Sequence, residues 1–366
     1  MGVPWVYKIT ALVLISLLVI YLMTPVQMVP PSLPLPKLTG PNQSSLPLLQ
    51  SPTEVLPLLP GHYLSHYKNP CWRDSNDEFR CVPAVYLAGM PKCGSTDLYS
   101  KLTWHPQLVG MVSKENHYWA RLRLGKSGNH LKKDKETPVP FTTYLGLMHS
   151  AAVQIEVDES RISIDGTQSL LWDMIDWEER YPDLAEPPFT NADLIHDVTP
   201  QAKVLVVLRN PVDRLYSDFL YFRAGRNAAM FHEAVVTEVT RFNTCLEANT
   251  LRTCCYDKDN DPEMRLNLGL YYCFVKDWHR LLDLHVVTLE EYSNQPLPVL
   301  LRLYNWLQLP QPNVKELQQH IKSSKRENAN TAKEGMGKET RVLLQEFYRP
   351  YNKMLAKLLD DTRFLY

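Results

Sequence analysis

Several things are scarce in this 366-residue chain, and each scarcity removes a class of function. Charge of one sign is missing. With 39 Lys and Arg against 40 Asp and Glu, the formal net charge is −1, which excludes a globally basic nucleic-acid binder but leaves room for a local basic groove. No C-x2-C pair occurs among the seven cysteines, so no zinc framework is expected. No internal repeat is present, and the length suits one large α/β domain or two small ones. Between Lys8 and Lys37 there is no charged residue at all.

That last gap defines the amino-terminal organisation. Residues 9–29 are almost wholly apolar and, at about 20 residues, suffice to cross a bilayer. Lys8 and the amino terminus precede the run, so the positive-inside rule puts residues 1–8 in the cytosol and the remainder in the lumen. A cleaved signal peptide competes with this signal-anchor reading, although no small-x-small cleavage site follows the run. Residues 30–68 begin dense in Pro, Leu, Ser and Gln without helical or strand period, which reads as a lumenal stem. Asn42, in Asn42-Gln43-Ser44, is a glycosylation sequon there. The folded domain is expected over residues 69–366, as a single α/β, P-loop-like unit with a central parallel sheet flanked by helices.

The sheet is read from apolar runs at residues 82–88, 108–112, 161–165, 204–208 and 285–288, alternating with helical segments at 96–102, 231–240, 268–282, 298–307 and 340–359. After the first run comes Gly89-Met90-Pro91-Lys92-Cys93-Gly94-Ser95-Thr96-Asp97. A glycine-containing loop between a strand and a helix N-terminus is an anion site, because free N–H groups and the helix dipole point the same way. Ser95 or Thr96 is expected to cap that helix. The spacing nearly matches G-x4-G-K-[ST], but serine replaces the lysine after the second glycine, and Lys92 stands three positions earlier. No Walker-B-like aspartate run or His-Arg-Asp signature accompanies it. Cys93 reads as a small residue packed under the loop.

A second anion motif is Leu208-Arg209-Asn210-Pro211-Val212-Asp213-Arg214-Leu215-Tyr216-Ser217. Arg209 ends a buried strand, where open α/β sheets bind ligands, and Pro211 opens a helix carrying Ser217 about two turns on. A guanidinium fork plus a hydroxyl suits a dianionic phosphate. A third element, Lys114-Glu115-Asn116-His117-Tyr118-Trp119, sets a carboxylate directly after a strand, where it can act as general base towards a hydroxyl. A salt bridge of Glu115 with Lys114 or Arg121 is the plain alternative.

Together Pro91-Lys92-Cys93-Gly94-Ser95-Thr96, the Arg-Asn-Pro…Ser motif and Lys-Glu-x-His-Tyr-Trp resemble the glycosaminoglycan sulfotransferases. The resemblance implies 3′-phosphoadenosine 5′-phosphosulfate (PAPS) as donor, no metal, and catalysis by Glu115, Lys92 and His117. Lys92, Cys93, Gly94, Ser95, Thr96 and Asp97 would hold the 5′-phosphosulfate, and Arg209 and Ser217 the 3′-phosphate. Lys333 and Lys338 would sit on a loop closing over the nucleotide. Lys114, His117, Arg121 and Arg123 would meet the acceptor, the last two within a basic stretch that a solvated loop explains as well. The implied acceptor is chondroitin or dermatan sulfate, at the 6-hydroxyl of N-acetylgalactosamine 4-sulfate. Gly166-Thr167-Gln168-Ser169 departs from the Ser-Pro usual in this family after the third strand. A lumenal, Golgi-membrane setting follows, in which Cys71, Cys81, Cys245, Cys254, Cys255 and Cys273 are disulfide candidates, Cys71–Cys81 being the simplest local pair. A P-loop kinase or nucleotide hydrolase and an inactive polysaccharide-binding homologue are the competing readings.

Overall fold

Apolar runs too short for helices, each followed by a helical segment, have to become buried parallel strands, and they do. The computed structural model describes residues 55–126, 137–222, 227–257, 264–324 and 335–366. The expected anchor at 9–29 and Asn42 lie outside the described residues, as does Lys333. Among the described residues no helix is long and apolar enough to cross a membrane.

Seven strands are numbered in chain order. β1 (Cys71–Arg73) and β2 (Phe79–Cys81) pair as a small antiparallel hairpin, closed by the Cys71–Cys81 disulfide. β3 (Val85–Gly89), β4 (Leu108–Gly110), β5 (Ile162–Asp165), β6 (Lys203–Leu208) and β7 (Asp283–Thr288) form one sheet in the order β4-β5-β3-β6-β7. Every neighbouring pair in it is parallel. Val85, Tyr86, Leu87 and Ala88 are fully buried, as are Val204 to Leu208, so the two central strands are covered on both faces. Helices Phe141–Val157, Asn191–Val198 and Val314–Ser323 were not expected from the sequence. The segment expected as one helix over 268–282 is a single turn, Leu266–Gly269, followed by helix Tyr271–His279. The Tyr348 ring lies where a Cβ on Gly269 would stand, 2.6 Å away, so a side chain there would push off the long last helix, Lys338–Leu359.

Packing reaches upstream of Asn69. Val55 is fully buried, Leu59, Tyr63 and Tyr67 lie against the core, and the Tyr63 hydroxyl donates to Val198 O at 2.6 Å. A second disulfide, Cys245–Cys254, joins helix Ala228–Ala248 to helix Leu251–Cys255. Of the six candidate cysteines, Cys255 and Cys273 are instead buried free thiols.

Because all five strands run the same way, their carboxyl ends share one edge. β3 is central: the chain winds out to β4 and β5 on one side, then crosses to β6 and β7 on the other. That reversal makes the edge beside β3 the crevice where ligands of such sheets bind. The turn leaving β5 is tightly built, for a Cβ on Gly166 would stand 2.7 Å from the Tyr99 ring and 3.1 Å from Lys114 Cγ. Gly166→Ala is therefore expected to lower stability by about 1–3 kcal/mol through overpacking, read as an earlier urea midpoint at unchanged m-value. A variant as stable as the parent would show that this turn has room to spare.

Candidate active site

The loop after β3 is bound to its neighbour strand, since Met90 N–H donates to Val207 O at 2.9 Å. Lys92 (φ 65°) and Gly94 (φ 82°) both take left-handed backbone, which glycine adopts freely and lysine does not. Helix Ser95–Leu102 begins with Gly94 as its N-cap and without a side-chain cap. The expected capping by Ser95 or Thr96 is thus corrected: both lie inside the first turn, and the glycine sets the entry. A helix start left without a carboxylate or hydroxyl cap keeps its positive end available to an anion. Cys93 is buried, its thiol 3.6 Å from Pro91 O and pushed up to about 12 by desolvation. It packs under the loop, where burial disfavours its thiolate.

The second cradle grows from β6. Arg209 follows its last residue, and Asn210 caps helix Pro211–Phe222 by accepting from Val212 N–H at 3.0 Å, with Pro211 where proline fits a helix. One Arg209 N–H reaches Lys92 O at 3.4 Å, and the Tyr271 hydroxyl donates to Arg209 O at 2.8 Å. The two motifs, 117 positions apart between Lys92 and Arg209, therefore touch. Ser217 lies buried on the same helix.

Behind both runs a buried ionic cluster. Asp218 accepts from Arg214 at 3.1 Å and from Arg265 Nε at 2.9 Å, and a second Arg265 nitrogen grips its other oxygen. Arg214, wholly buried, also donates to Arg265 O at 2.7 Å. Burial pushes the Asp218 carboxyl up, but Arg265 and Arg214 outweigh it and hold the group below the usual carboxylate range. One carboxylate thus balances two guanidiniums, and Lys92 and Arg209 add further positive charge nearby. Burial, then Arg265 and Arg209, lower the Lys92 ammonium pKa, while Asp218 opposes them. An excess of cations in a poorly solvated place is the environment a polyanionic ligand completes.

The segment after β4 supplies the third element. Asn116 is buried and directs its amide NH2 onto both Asp165 oxygens at 3.0 Å, while its carbonyl accepts from Tyr118 N–H at 2.9 Å. Asp165, the last residue of β5, also accepts from Thr167 (2.6 Å) and Tyr144 (2.9 Å). With Asn116 pinned inward, its neighbours Glu115 (φ 59°) and His117 (φ 53°) sit in left-handed backbone. Non-glycine residues in that region are costly and gather at functional sites. Seven such residues occur among those described, and three are Lys92, Glu115 and His117.

Glu115 pairs with Lys114 through one oxygen and accepts from Gln168 N–H at 3.0 Å through the other. Burial raises its pKa above the ordinary glutamate value, with Lys114 pulling the other way. The salt bridge to Lys114, the plain alternative for this residue, is thus formed, and it coexists with a carboxylate made more basic by burial. His117 Nδ1 lies 2.8 Å from the Ser169 hydroxyl. Burial, then Arg121 and Lys114, hold its imidazole down at about 4, so it is neutral near pH 7.

Other expected residues lie elsewhere. Asp97 turns inward to Lys101 Nζ and the Tyr292 hydroxyl, each at 2.6 Å, so its carboxylate braces the helix and does not face an anion. Arg121 and Arg123 are not surface cations. They are 2% and 8% exposed, Arg121 paired with Asp173 and Arg123 donating to Trp119 O at 2.7 Å. Lys338 is exposed at the start of the last helix, three residues before Arg341, which pairs with Asp213 at 2.9 Å. Sequence reasoning missed Asp165, Ser169, Asp218, Arg265 and Tyr221. Only the Arg214–Asp218 spacing of four on one helix was a readable signal.

The model of the sulfotransferase family matches residues 83–316. Rat carbohydrate sulfotransferase 15 is 33% identical over 327 residues, covering 83% of this chain and 57% of that protein. The human protein of the same name is 32% identical over 308 residues, covering 78% and 54%. The chain thus spans little more than half the length of these relatives. Among solved structures, a sulfotransferase from Alicyclobacillus acidocaldarius superposes with a TM-score of 0.53 at 22% identity, over 77% of this chain and 97% of that one. This last likeness bears on the fold alone.

Removing one member of a buried ion cluster strands the others, so Asp218→Ala should destabilise the domain by about 3–5 kcal/mol in chemical denaturation. A loss under about 1 kcal/mol would mean that the cluster is solvated. His117 stays neutral in the folded state down to about pH 4, whereas the unfolded chain protonates it near 6.5. The unfolded state then binds more protons between those values, so this residue costs stability progressively as pH falls from 6.5 to 4. His117→Gln should flatten stability over that window, and histidine NMR should place the titration near 4. A midpoint above 6 would contradict the burial argument.

Proposed function

The chain belongs to the sulfotransferase family, and from that premise we propose that it moves a sulfonate from PAPS to a hydroxyl of a glycosaminoglycan sugar. The observation that carries this reading is the contact between the Lys92 loop and Arg209, which joins two anion cradles across the edge beside β3. One suits a 5′-phosphosulfate and the other a 3′-phosphate. The buried excess of guanidinium over carboxylate behind them suits a donor carrying several negative charges.

In the proposed reaction, Glu115 takes the acceptor's hydroxyl proton as that oxygen attacks sulfur in line. The new O–S bond forms while the S–O bond to the 5′-phosphate breaks, and its electron pair leaves on adenosine 3′,5′-bisphosphate. Lys92 and the start of helix Ser95–Leu102 stabilise the charge growing on the departing phosphate. Each Glu115 oxygen has two acceptor sites, so the contacts with Lys114 and Gln168 leave capacity for a substrate hydroxyl. The similarity to carbohydrate sulfotransferase 15 supports a carbohydrate acceptor. The 6-hydroxyl of N-acetylgalactosamine 4-sulfate in chondroitin or dermatan sulfate is our choice, made on the resemblance of Asn69-Pro70-Cys71-Trp72, Arg80-Cys81, Gly269-Leu270-Tyr271 and residues 344–352 to a sulfotransferase of that specificity. Anchoring of the chain in the Golgi membrane by residues 9–29 belongs to the same proposal, as does lumenal oxidation of the two cysteine pairs.

Full-length protein should bind adenosine 3′,5′-bisphosphate without added magnesium and should not bind ATP comparably. Glu115→Gln should cut transfer at least about a hundredfold while sparing bisphosphate binding. Because a base must be ionised and burial raises Glu115, the acidic limb of the rate profile should lie above 4.5. Labelled donor offered with a panel of sulfated and desulfated glycosaminoglycans, followed by disaccharide analysis, identifies the acceptor. Undiminished transfer by the Gln variant would remove Glu115 from the mechanism.

A further inference from the structure

Helix Pro211–Phe222 ends in two adjacent rings, and each lies against a cation of the site. Lys92 Nζ stands 3.7 Å from the Tyr221 ring centroid, and the Arg265 guanidinium carbon 4.7 Å from that of Phe222. The rings meet edge to face, centroids 4.9 Å apart at 88°. Phe219 on the same helix is fully buried, but Tyr221 is 65% exposed, so core packing does not account for its place. Among the described residues, no carboxylate forms an ion pair with Lys92. Its charge is met by a π-face, an attraction that restrains an ammonium without neutralising it. Lysine otherwise carries its charge on a flexible four-carbon stem with many rotamers.

We infer that Tyr221 is the positioning residue of Lys92, holding the ammonium over the anion loop with its charge intact for the donor. The inference rests on the PAPS reading above. A carboxylate in the same place would also fix the lysine, but it would compete with the donor's oxygens. A ring face does not.

The test is calorimetric titration of adenosine 3′,5′-bisphosphate into the full chain, with transfer kinetics alongside. Tyr221→Leu keeps apolar bulk and loses the π-face, and should weaken bisphosphate binding roughly two- to fivefold, with KM for donor rising and KM for acceptor unmoved. Tyr221→Phe keeps the face and should recover the affinity lost in the Leu variant. In a Lys92→Ala background, Tyr221→Leu should cause no further loss, since the ring would have nothing left to hold. Wild-type-like binding by Tyr221→Leu, failure of Phe to recover it, or an undiminished loss in the Lys92→Ala background would each overturn the inference while leaving the donor reading in place. A wild-type chain that does not bind the bisphosphate overturns the donor reading and this inference with it.

Discussion

The site depends on one buried carboxylate shared by two buried guanidiniums. Asp218 lets Arg214 and Arg265 stay inside the protein, and neither could remain there uncompensated. Its single charge does not cancel theirs. The surplus is left directly behind the two anion cradles, where water screens it poorly. Arg214 and Asp218 stand four apart on the helix that Arg209, Asn210 and Pro211 begin. One helix therefore carries the Arg209 guanidinium at its start, the charge reservoir along its buried face and the Tyr221 ring at its end.

A second buried carboxylate organises the opposite half of the edge by geometry more than by charge. Asp165 gathers Asn116, Thr167 and Tyr144, all within 3.0 Å. Asn116, fixed inward, stands between Glu115 and His117, both in left-handed backbone, so the strained residues flank a buried anchor. The turn after β5 then meets both side chains, Gln168 through its backbone N–H and Ser169 through its hydroxyl. The departure from Ser-Pro noted in the sequence is thus at the place where the carboxylate and imidazole are held.

The sequence made the sheet legible because its central strands are buried on both faces and read as unbroken apolar runs. β3 and β6 begin within a few residues of expectation, and Pro83 accounts for β3 starting at Val85 instead of residue 82. The two anion motifs were legible for the same reason: glycine and proline punctuate strand–helix turns in ways few other residues can. What was illegible is what tertiary contact alone creates. Arg265 lies 47 positions from Asp218 and Asp165 lies 49 from Asn116, so no local pattern announces either pairing. Arg121 and Arg123 misled because a basic stretch resembles a solvated face. Their burial beside Trp119 and Asp173 depends on partners a linear reading does not see.

These halves divide the chemistry along the sheet. In the reaction proposed, donor contacts come from β3 and β6 and their helices, whereas Glu115 and His117 are set by β4 and β5. The halves are adjacent because β5 and β6 both pair with β3, yet their buried hubs, Asp165 and Asp218, share no hydrogen-bond partner among the contacts described here. In the reaction proposed, the residues that touch the base and the imidazole, Gln168 and Ser169, are thus distinct from Asp218's partners, and the two sides meet at Trp172, whose ring lies 5.8 Å from both the Arg121 and the Arg265 guanidinium carbons. In that reaction, a turn tied to the Glu115 base through one backbone N–H and to His117 through one hydroxyl is where a change of acceptor would act first.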